Sequence, residues 1–134
     1  MIHVASQYDL SRKNTFGTPA RAAAYGSPST LEELGFLLNY ASDRSMETLI
    51  IGEGSNLLFK NDFDGLVIQP CIHGIELKDE SDSEVLVRAG AGENWDDFVD
   101  HCVGRNWWGA ENLSLIPGTV GSAPVQNIGA YGVE

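Results

Sequence analysis

Two scarcities in the sequence, of cysteine and of basic residues, exclude several classes of protein. The two cysteines, Cys71 and Cys102, stand far apart with no CxxC pair, so neither a disulfide framework nor a zinc site is predicted. Eight Lys and Arg stand against 19 Asp and Glu, which gives a net charge of −11. Nucleic acids and anionic lipids are bound largely through basic side chains. We therefore expect no nucleic-acid partner, and we expect any phosphate ligand to be held mainly by backbone N–H groups and helix ends.

Long apolar runs and common catalytic motifs are also missing. No run approaches the roughly 20 residues of a membrane span, and the first 17 residues lack the basic and apolar regions of a signal peptide. We expect a soluble, intracellular protein without a membrane partner. His3, His73 and His101 lack metal-ligand spacing, and no GxSxG, HExxH or P-loop motif occurs. No metal site is therefore predicted, and these residues alone indicate no particular catalytic chemistry.

What is present, in 134 residues that are 43% hydrophobic, is a mixed pattern of short helices and strands. The segment through Gly17 is predicted to be irregular, with Leu10 and Phe16 as its apolar anchors. Strands are predicted from a small-residue segment at 20–25 and from apolar runs at 48–51, 66–68, 72–77 and 84–89, with turns at 61–65 and 79–83.

Two helices are predicted from apolar periodicity and capping residues. The first is capped by Ser29 or Thr30, with Glu32 or Glu33 at the position that a capping box requires. Its buried face is predicted to consist of Leu31, Leu34, Leu38 and Ala41. The second helix follows Gly92 and is predicted to bury Trp95, Phe98, Val99 and Cys102.

Three glycine-rich segments are candidates for contact with a phosphorylated ligand. The first, Gly52-Glu53-Gly54-Ser55-Asn56, comes directly after a predicted strand. Glycine permits positive φ, which lets successive N–H groups converge on an anion, and Ser55 and Asn56 can add side-chain donors. A plain turn between two strands explains the same residues, so both interpretations stay open.

The other two segments lie further along the chain. Gly90-Ala91-Gly92 stands between a strand and a helix, as in a nicotinamide-nucleotide (Rossmann) fingerprint, but Trp95 replaces the third glycine. A strand-to-helix turn with Trp95 in the core is therefore favoured. The segment from Pro117 to Gly132 is rich in small residues, and Thr119 or Ser122 can cap a short helix whose N-terminus faces an anion. From the residues alone, the chain is predicted to bind a nucleotide or another phosphate ligand, with its chemistry open.

Four strings together resemble one family, the UDP-N-acetylenolpyruvoylglucosamine reductases. They are Asn14-Thr15-Phe16-Gly17, Ile51 to Phe59, Ala89 to Trp95, and Glu111 to Val133, which contains IPGTVGSAPVQNIGAYG. The strings occur in the order and at the spacing of that family, and they cover the chain from Asn14 to its last residue. Four strings in order are more specific than any single loop.

The resemblance implies an α+β fold, the FAD-binding fold of the vanillyl-alcohol-oxidase type, with two small α+β subdomains at 1–69 and 70–134, the second one truncated. It implies FAD as a non-covalent cofactor, because no histidine stands between Gly52 and Phe59 to tether it. The first subdomain would hold the pyrophosphate through Gly52, Gly54, Ser55, Asn56 and Leu57. The second would line the flavin and its phosphates with Pro117, Gly118, Gly121, Ser122, Asn127, Gly129, Ala130 and Tyr131.

The resemblance also implies a reaction for the parent protein. Members of the family transfer hydride from NADPH to FAD and then to the enolpyruvyl group of a UDP-sugar, giving UDP-N-acetylmuramate for peptidoglycan synthesis. The family's catalytic arginine, serine and glutamate would lie beyond Glu134, where the sequence stops without a terminating signal. We therefore expect a bacterial, cytoplasmic flavoenzyme whose first 134 residues are inactive alone. The alternatives are a non-catalytic nucleotide-binding module and a Rossmann-type oxidoreductase.

Overall fold

The computed structural model describes residues 2–132, and the chain divides into two compact units, Met1–Ile72 and His73–Glu134. Met1, Val133 and Glu134 lie outside the described residues. They include the first residue of the predicted first subdomain, the last residue of the predicted second subdomain and Val133, the last residue of the fourth string. Among the described residues, no helix has the length and apolar character needed to cross a membrane.

The first unit is a four-stranded sheet. Its strands are β1 (Ala5–Asp9), β2 (Arg21–Gly26), β3 (Glu47–Ile50) and β4 (Phe63–Ile68), in the order β1-β2-β4-β3. β1 is antiparallel to β2, whereas β2, β4 and β3 run parallel. Parallel neighbours end at the same edge of a sheet, and Ile50 pairs with Ile68. The segments that follow β3 and β4 therefore begin side by side.

β4 is buried on both faces, as expected of a continuous apolar run in a parallel sheet. Leu66 and Ile68 pack with Leu37 and Ala41 of helix α1 (Leu31–Asp43). Val67, which alternates to the other face, joins a second buried cluster with Leu10, Ala20, Ala22, Tyr25 and Ile51. The three strands predicted at 20–25, 48–51 and 66–68 are confirmed, although β4 begins at Phe63, inside the predicted turn.

Helix α1 begins where its capping residues predict, but it buries a different face. Thr30 Oγ1 accepts a hydrogen bond from Glu33 N at 3.2 Å, and the Glu33 carboxylate accepts one from Ser29 N at 2.9 Å. Leu37 is fully buried, whereas Leu31 and Leu38 are 72% and 43% exposed, so their assignment to the core is wrong. The leucines lie on more than one side of the helix, so helical periodicity alone does not show which of them face the core. The difference is that Leu37 packs on Gly26, where no side chain intervenes.

Two expectations for the amino-terminal segment are also wrong. Ala5–Asp9 is an edge strand, not irregular chain, and it escapes the sequence pattern because it has no run of alternating apolar residues. Phe16 is 67% exposed and anchors nothing, whereas Leu10 is fully buried, as predicted.

In its described part, up to Gly132, the second unit combines a hairpin, a helix and three short 3₁₀ turns. β5 (Ile75–Glu80) and β6 (Val85–Ala89) are antiparallel, and helix α2 (Trp95–Val103) follows. The 3₁₀ turns are Glu111–Leu113, Val120–Ser122 and Ile128–Tyr131. The core consists of Trp95, Val99, Leu113 and Ala123, which confirms the predicted inner face of the second helix. Cys71 and Cys102 are both free; Cys102 is buried, which raises the pKa of its thiol.

Candidate functional site

Gly54 occupies a position that only glycine fits without strain. Its φ is +73°, it is buried, and a Cβ at this point would collide with the backbone carbonyl of Lys13. Thr15 N donates a hydrogen bond to Gly54 O at 3.1 Å. The loop that follows β3 therefore lies directly on the backbone of residues 13–15, and it does so because Gly54 has no side chain.

The backbone N–H groups of this loop are largely unused by the protein. Within residues 2–132, those of Gly52, Gly54, Ser55 and Asn56 donate to no protein acceptor, while Ile51 N donates to Ile68 O at 2.9 Å. An unpaired N–H in a buried residue such as Gly54 costs free energy and is rare in folded proteins. Several such groups on one short loop match the donor set of a backbone anion site.

The side chains of the loop play different parts. Ser55 is half-buried and Asn56 is exposed, so both can reach a ligand. Leu57 is half-buried and packs against the cluster of Leu10, Tyr25 and Ile51. Leu57 therefore anchors the end of the loop with its side chain, and only its backbone can contribute to binding.

The surface on which Gly54 rests is itself held by Asn14. This side chain is 6% exposed, and its Nδ2 donates to Leu10 O at 2.9 Å and to Thr18 O at 3.2 Å. Its Oδ1 accepts from Thr18 N at 3.0 Å. Asn14 thereby closes the turn that places Lys13 and Thr15 against Gly54. Sequence reasoning found the string that begins at Asn14 but assigned this residue no part in the site.

In the second unit, the Gly90–Trp95 segment supports the segment that begins at Pro117. Trp95 N donates to Gly118 O at 3.0 Å, Val120 N to Glu93 O at 2.9 Å, and Gly121 N to Ala91 O at 3.0 Å. A Cβ on Gly121 would lie 2.7 Å from the Cβ of Ala91. The two glycine-rich segments are therefore joined along their backbones.

The Rossmann interpretation of Gly90-Ala91-Gly92 is wrong. A Rossmann fingerprint begins a βαβ unit with parallel strands, but β6, which precedes this segment, pairs antiparallel with β5. Trp95 is 8% exposed, and its Nε1 donates to Leu113 O at 2.8 Å. The favoured alternative, a strand-to-helix turn with Trp95 in the core, is confirmed.

The predicted capping residues of the short helix near Gly121 are confirmed, and the amides at its start are already used in hydrogen bonds. Thr119 and Ser122 form a capping box, in which Thr119 N donates to Ser122 Oγ at 2.9 Å. The backbone N–H of Ser122 also donates to the Thr119 carbonyl at 3.0 Å. Because Val120 and Gly121 also donate internally, the N–H groups from Thr119 to Ser122 are already paired. Pro117 has no N–H. The N–H of Gly118 donates to no acceptor within residues 2–132.

The last predicted site residues, Asn127, Gly129, Ala130 and Tyr131, lie in and before one short 3₁₀ turn and are largely accessible. Asn127 has a φ of +54° and precedes the 3₁₀ turn Ile128–Tyr131. A Cβ on Gly129 would meet nothing within 4 Å, and Ala130 and Tyr131 are exposed. Such a surface is suited to a flat ligand, but contact with a flavin stays a prediction for these residues.

The charged side chains near these segments have structural partners. The Glu93 carboxylate accepts from Gly74 N at 2.6 Å and lies 3.4 Å from His73, and both contacts lower its pKa, the first more strongly. Glu111 accepts from Gly109 N, which lowers its pKa in the same way. In the part of the chain that the structure describes, no three His, Cys, Asp or Glu side chains are grouped so that they could hold a metal ion.

Comparison with known proteins identifies the family of the chain. Residues 22–134 match the FAD binding domain family, and the chain belongs to that family. Among individual proteins, the chain is 50% identical over 128 residues to the UDP-N-acetylenolpyruvoylglucosamine reductase of Bacteroides fragilis strain YCH46, covering 96% of this chain and 38% of that protein. It is 49% identical over 133 residues to the reductase of the same name from Chromobacterium violaceum, covering 99% and 39%. The resemblance found in the four strings is thus confirmed, over less than two-fifths of the relatives' length.

A solved structure supports the same fold. The crystal structure of UDP-N-acetylenolpyruvylglucosamine reductase from Thermus caldophilus matches with a TM-score of 0.62 at 21% identity, covering 92% of this chain and 41% of that one. At this identity the likeness bears on the fold alone. Together with the family match, it confirms the predicted α+β FAD-binding fold.

The residues after β3 fit the diphosphate of such a cofactor. The fit rests on the unpaired N–H of buried Gly54 and on those of Gly52, Ser55 and Asn56. No residue from Gly52 to Leu57 is a lysine or arginine, so the loop offers dipoles rather than charge. In the second unit, the paired amides around Gly121 leave mainly the N–H of Gly118 and the exposed side chains for a ligand.

Proposed function

We propose that this chain is the FAD-binding portion of an NADPH-dependent reductase that converts UDP-N-acetylenolpyruvoylglucosamine to UDP-N-acetylmuramate in peptidoglycan synthesis. The shared name of the relatives supports the substrate, and the family match supports FAD. Because the chain spans only 38% and 39% of the first two relatives named above, the reaction is proposed for the parent protein. A bacterial, cytoplasmic location is proposed from the resemblance alone.

One observation carries the binding part of the proposal: the amides of Gly52, Gly54, Ser55 and Asn56 donate to no acceptor within residues 2–132, on a backbone that only glycine permits at position 54. A hydrogen bond from an N–H group to a charged oxygen contributes roughly 1.5–3 kcal/mol. Two or three such bonds are enough to hold a diphosphate without a basic side chain. This explains how a chain with a net charge of −11 can bind a dianionic group.

The residues of this chain bind and orient, while the cofactor supplies hydride transfer when it is bound. Gly52, Gly54, Ser55 and Asn56 hold the diphosphate in the proposal, and Leu57 fixes the end of their loop. The flavin is lined by Gly118, Ser122 and the segment from Asn127 to Tyr131. The groups that transfer protons to the substrate belong to the rest of the parent protein, so residues 1–134 bind FAD without turnover.

The experiment that tests this is a titration of the ¹⁵N-labelled 134-residue chain with three ligands. FAD and ADP both carry a diphosphate, whereas riboflavin carries none. We expect FAD and ADP to shift the amide signals of Gly52, Gly54, Ser55 and Asn56, and riboflavin to leave them in place. Saturation with FAD without movement of these signals would refute the proposal.

The same titration separates the alternative of a non-catalytic nucleotide-binding module. A module that recognises only the nucleotide would bind ADP as tightly as FAD, and the signals of Gly129, Ala130 and Tyr131 would not respond to either ligand. The flavin-binding proposal predicts tighter binding of FAD than of ADP and a response of those three signals to FAD only.

A further inference from the structure

Gln69, the first residue after β4, joins two parts of the first unit through its side chain. Its Nε2 donates to Gly52 O at 2.8 Å, and its Oε1 accepts from Tyr25 OH at 2.7 Å. A backbone carbonyl can only accept hydrogen bonds, so Nε2 must be the atom that faces Gly52. Oε1 then faces a hydroxyl, which can donate. The chemistry of both partners fixes one orientation of the amide.

Tyr25, whose hydroxyl donates to Gln69, is itself held in place. It is 7% exposed, and its ring stacks on Tyr8 with centroids 3.9 Å apart and planes 8° from parallel. Lys13 Nζ lies 5.5 Å from the centroid of the Tyr25 ring. A glutamine side chain loses considerable rotamer freedom when it is ordered. The fixed hydroxyl of Tyr25 selects one rotamer of Gln69 and so offsets part of that cost.

Anchoring a carbonyl also fixes the N–H on the other side of its peptide plane. Every peptide bond among the described residues is trans, so the C=O and the following N–H point in opposite directions. The bond from Gln69 holds the carbonyl of Gly52 and so the plane of the Gly52–Glu53 peptide, and the bond from Thr15 N holds the carbonyl of Gly54 and so the plane of the Gly54–Ser55 peptide. The second bond directs the N–H of Ser55 away from residues 13–15. Two anchored carbonyls therefore set the orientation of the peptides between them.

We propose that Gln69 is a positioning residue for the diphosphate-binding loop. Its side chain holds the Gly52 carbonyl, with Tyr25 as support, and thereby keeps the loop amides oriented for an anion. This inference rests on the proposed function of that loop. Gln69 acts through Gly52 and not by touching the ligand. Loss of one hydrogen bond between neutral groups should weaken FAD binding by about fivefold.

Three variants of the 134-residue chain test the role. Gln69→Leu removes both hydrogen bonds, Gln69→Glu keeps an acceptor for Tyr25 but turns a carboxylate towards the Gly52 carbonyl, and Tyr25→Phe removes the hydroxyl but keeps the ring. The measurements are the dissociation constant for FAD and, without FAD, the hydrogen-exchange rates of the Gly54 and Ser55 amides. We expect both quantities to increase in the order wild type, Tyr25→Phe, Gln69→Leu, Gln69→Glu.

Leu34→Ala serves as the matched control for a general loss of stability. Leu34 packs in the other core cluster of the first unit, with Leu37 and Ala41. Its substitution should lower the unfolding temperature without changing loop exchange or FAD affinity. The inference is overturned if both Gln69 variants behave as wild type, or if Leu34→Ala at equal loss of stability reproduces their effects.

The outcomes also separate this inference from the proposed function. FAD binding that is unchanged in the Gln69 variants refutes the positioning role and leaves the function standing. If wild type binds no FAD but Gln69→Leu accelerates exchange at Gly54 and Ser55, Gln69 does hold the loop and the proposed ligand is wrong.

Discussion

Replacing Gly54 with alanine adds one methyl group at a point where the backbone leaves no room for it. At a φ of +73°, a residue with a side chain is strained by roughly 1–2 kcal/mol. The added Cβ also collides with the Lys13 carbonyl, and relief of overpacking typically costs about 1–3 kcal/mol. The free energy of unfolding of the first unit should therefore fall by roughly 2–5 kcal/mol, a large share of the ~5–15 kcal/mol of an ordinary domain. FAD affinity should fall with it, because relief moves the loop off residues 13–15.

Gly17→Ala is the matched control, since Gly17 has a φ of +64° but would place its Cβ within 4 Å of nothing. It should lose only the ~1–2 kcal/mol of backbone strain and should keep FAD affinity. Urea unfolding is best followed by amide or tyrosine signals of the first unit, because Trp95, Trp107 and Trp108 all lie in the second. Equal loss of unfolding free energy in the two variants would show that the collision with the Lys13 carbonyl adds no destabilisation. Unchanged FAD binding by Gly54→Ala would contradict the loop geometry.

Three further substitutions test other contacts. Asn14→Asp exchanges a buried amide that donates two hydrogen bonds for a carboxylate that donates none, and should lower the free energy of unfolding by about 2–4 kcal/mol in urea; a neutral result would contradict the role of Asn14. Gly121→Ala should cost about 1–3 kcal/mol, and the double variant with Ala91→Gly should recover part of it; additive losses would count against the contact with Ala91. The Gly74 N–H holds the pKa of Glu93 below its usual value of 4.5, so this stabilisation is present above that pH and is lost as the pH falls towards the lowered pKa. Glu93→Gln should accordingly flatten the acid side of a plot of unfolding temperature against pH, and an unchanged slope would show that the contact carries no stability.

Elements whose cause lies in neighbouring residues could be predicted from the sequence. The cap at Thr30, the inner face of α2 and the central strand β4 follow from short-range rules of capping and periodicity, and all three are found. The order of glycine-rich strings was enough to identify the family. The cap, the helix face and the strand are encoded by residues close to them in sequence, and the family by the order of strings along the whole chain.

Elements decided by distant residues could not be predicted. The buried face of α1 depends on Gly26, which lets Leu37 approach the sheet, and the edge strand β1 depends on pairing with β2. The part played by Gln69 needs β3 and β4 to be parallel neighbours, a fact of topology. A polar residue directly after the apolar β4 run is the only local signal it gives.

The pairing of the amides around Gly121 also could not be predicted from the sequence. Small residues predict a backbone open to a ligand, but they equally permit two backbone segments to pair, as Ala91 and Gly121 do. Composition cannot distinguish these outcomes, because both require the absence of side chains.

The absence of lysine and arginine from the Gly52–Leu57 loop determines how FAD affinity should depend on salt concentration. Phosphate sites built from basic side chains weaken as ionic strength rises, because counterions compete for the same charges. In the proposed site the donors are neutral dipoles, and the chain carries a net charge of −11, of the same sign as the nucleotide. Added ions would screen repulsion instead of attraction. FAD should therefore be held as well in a concentrated electrolyte as in a dilute one, or slightly better.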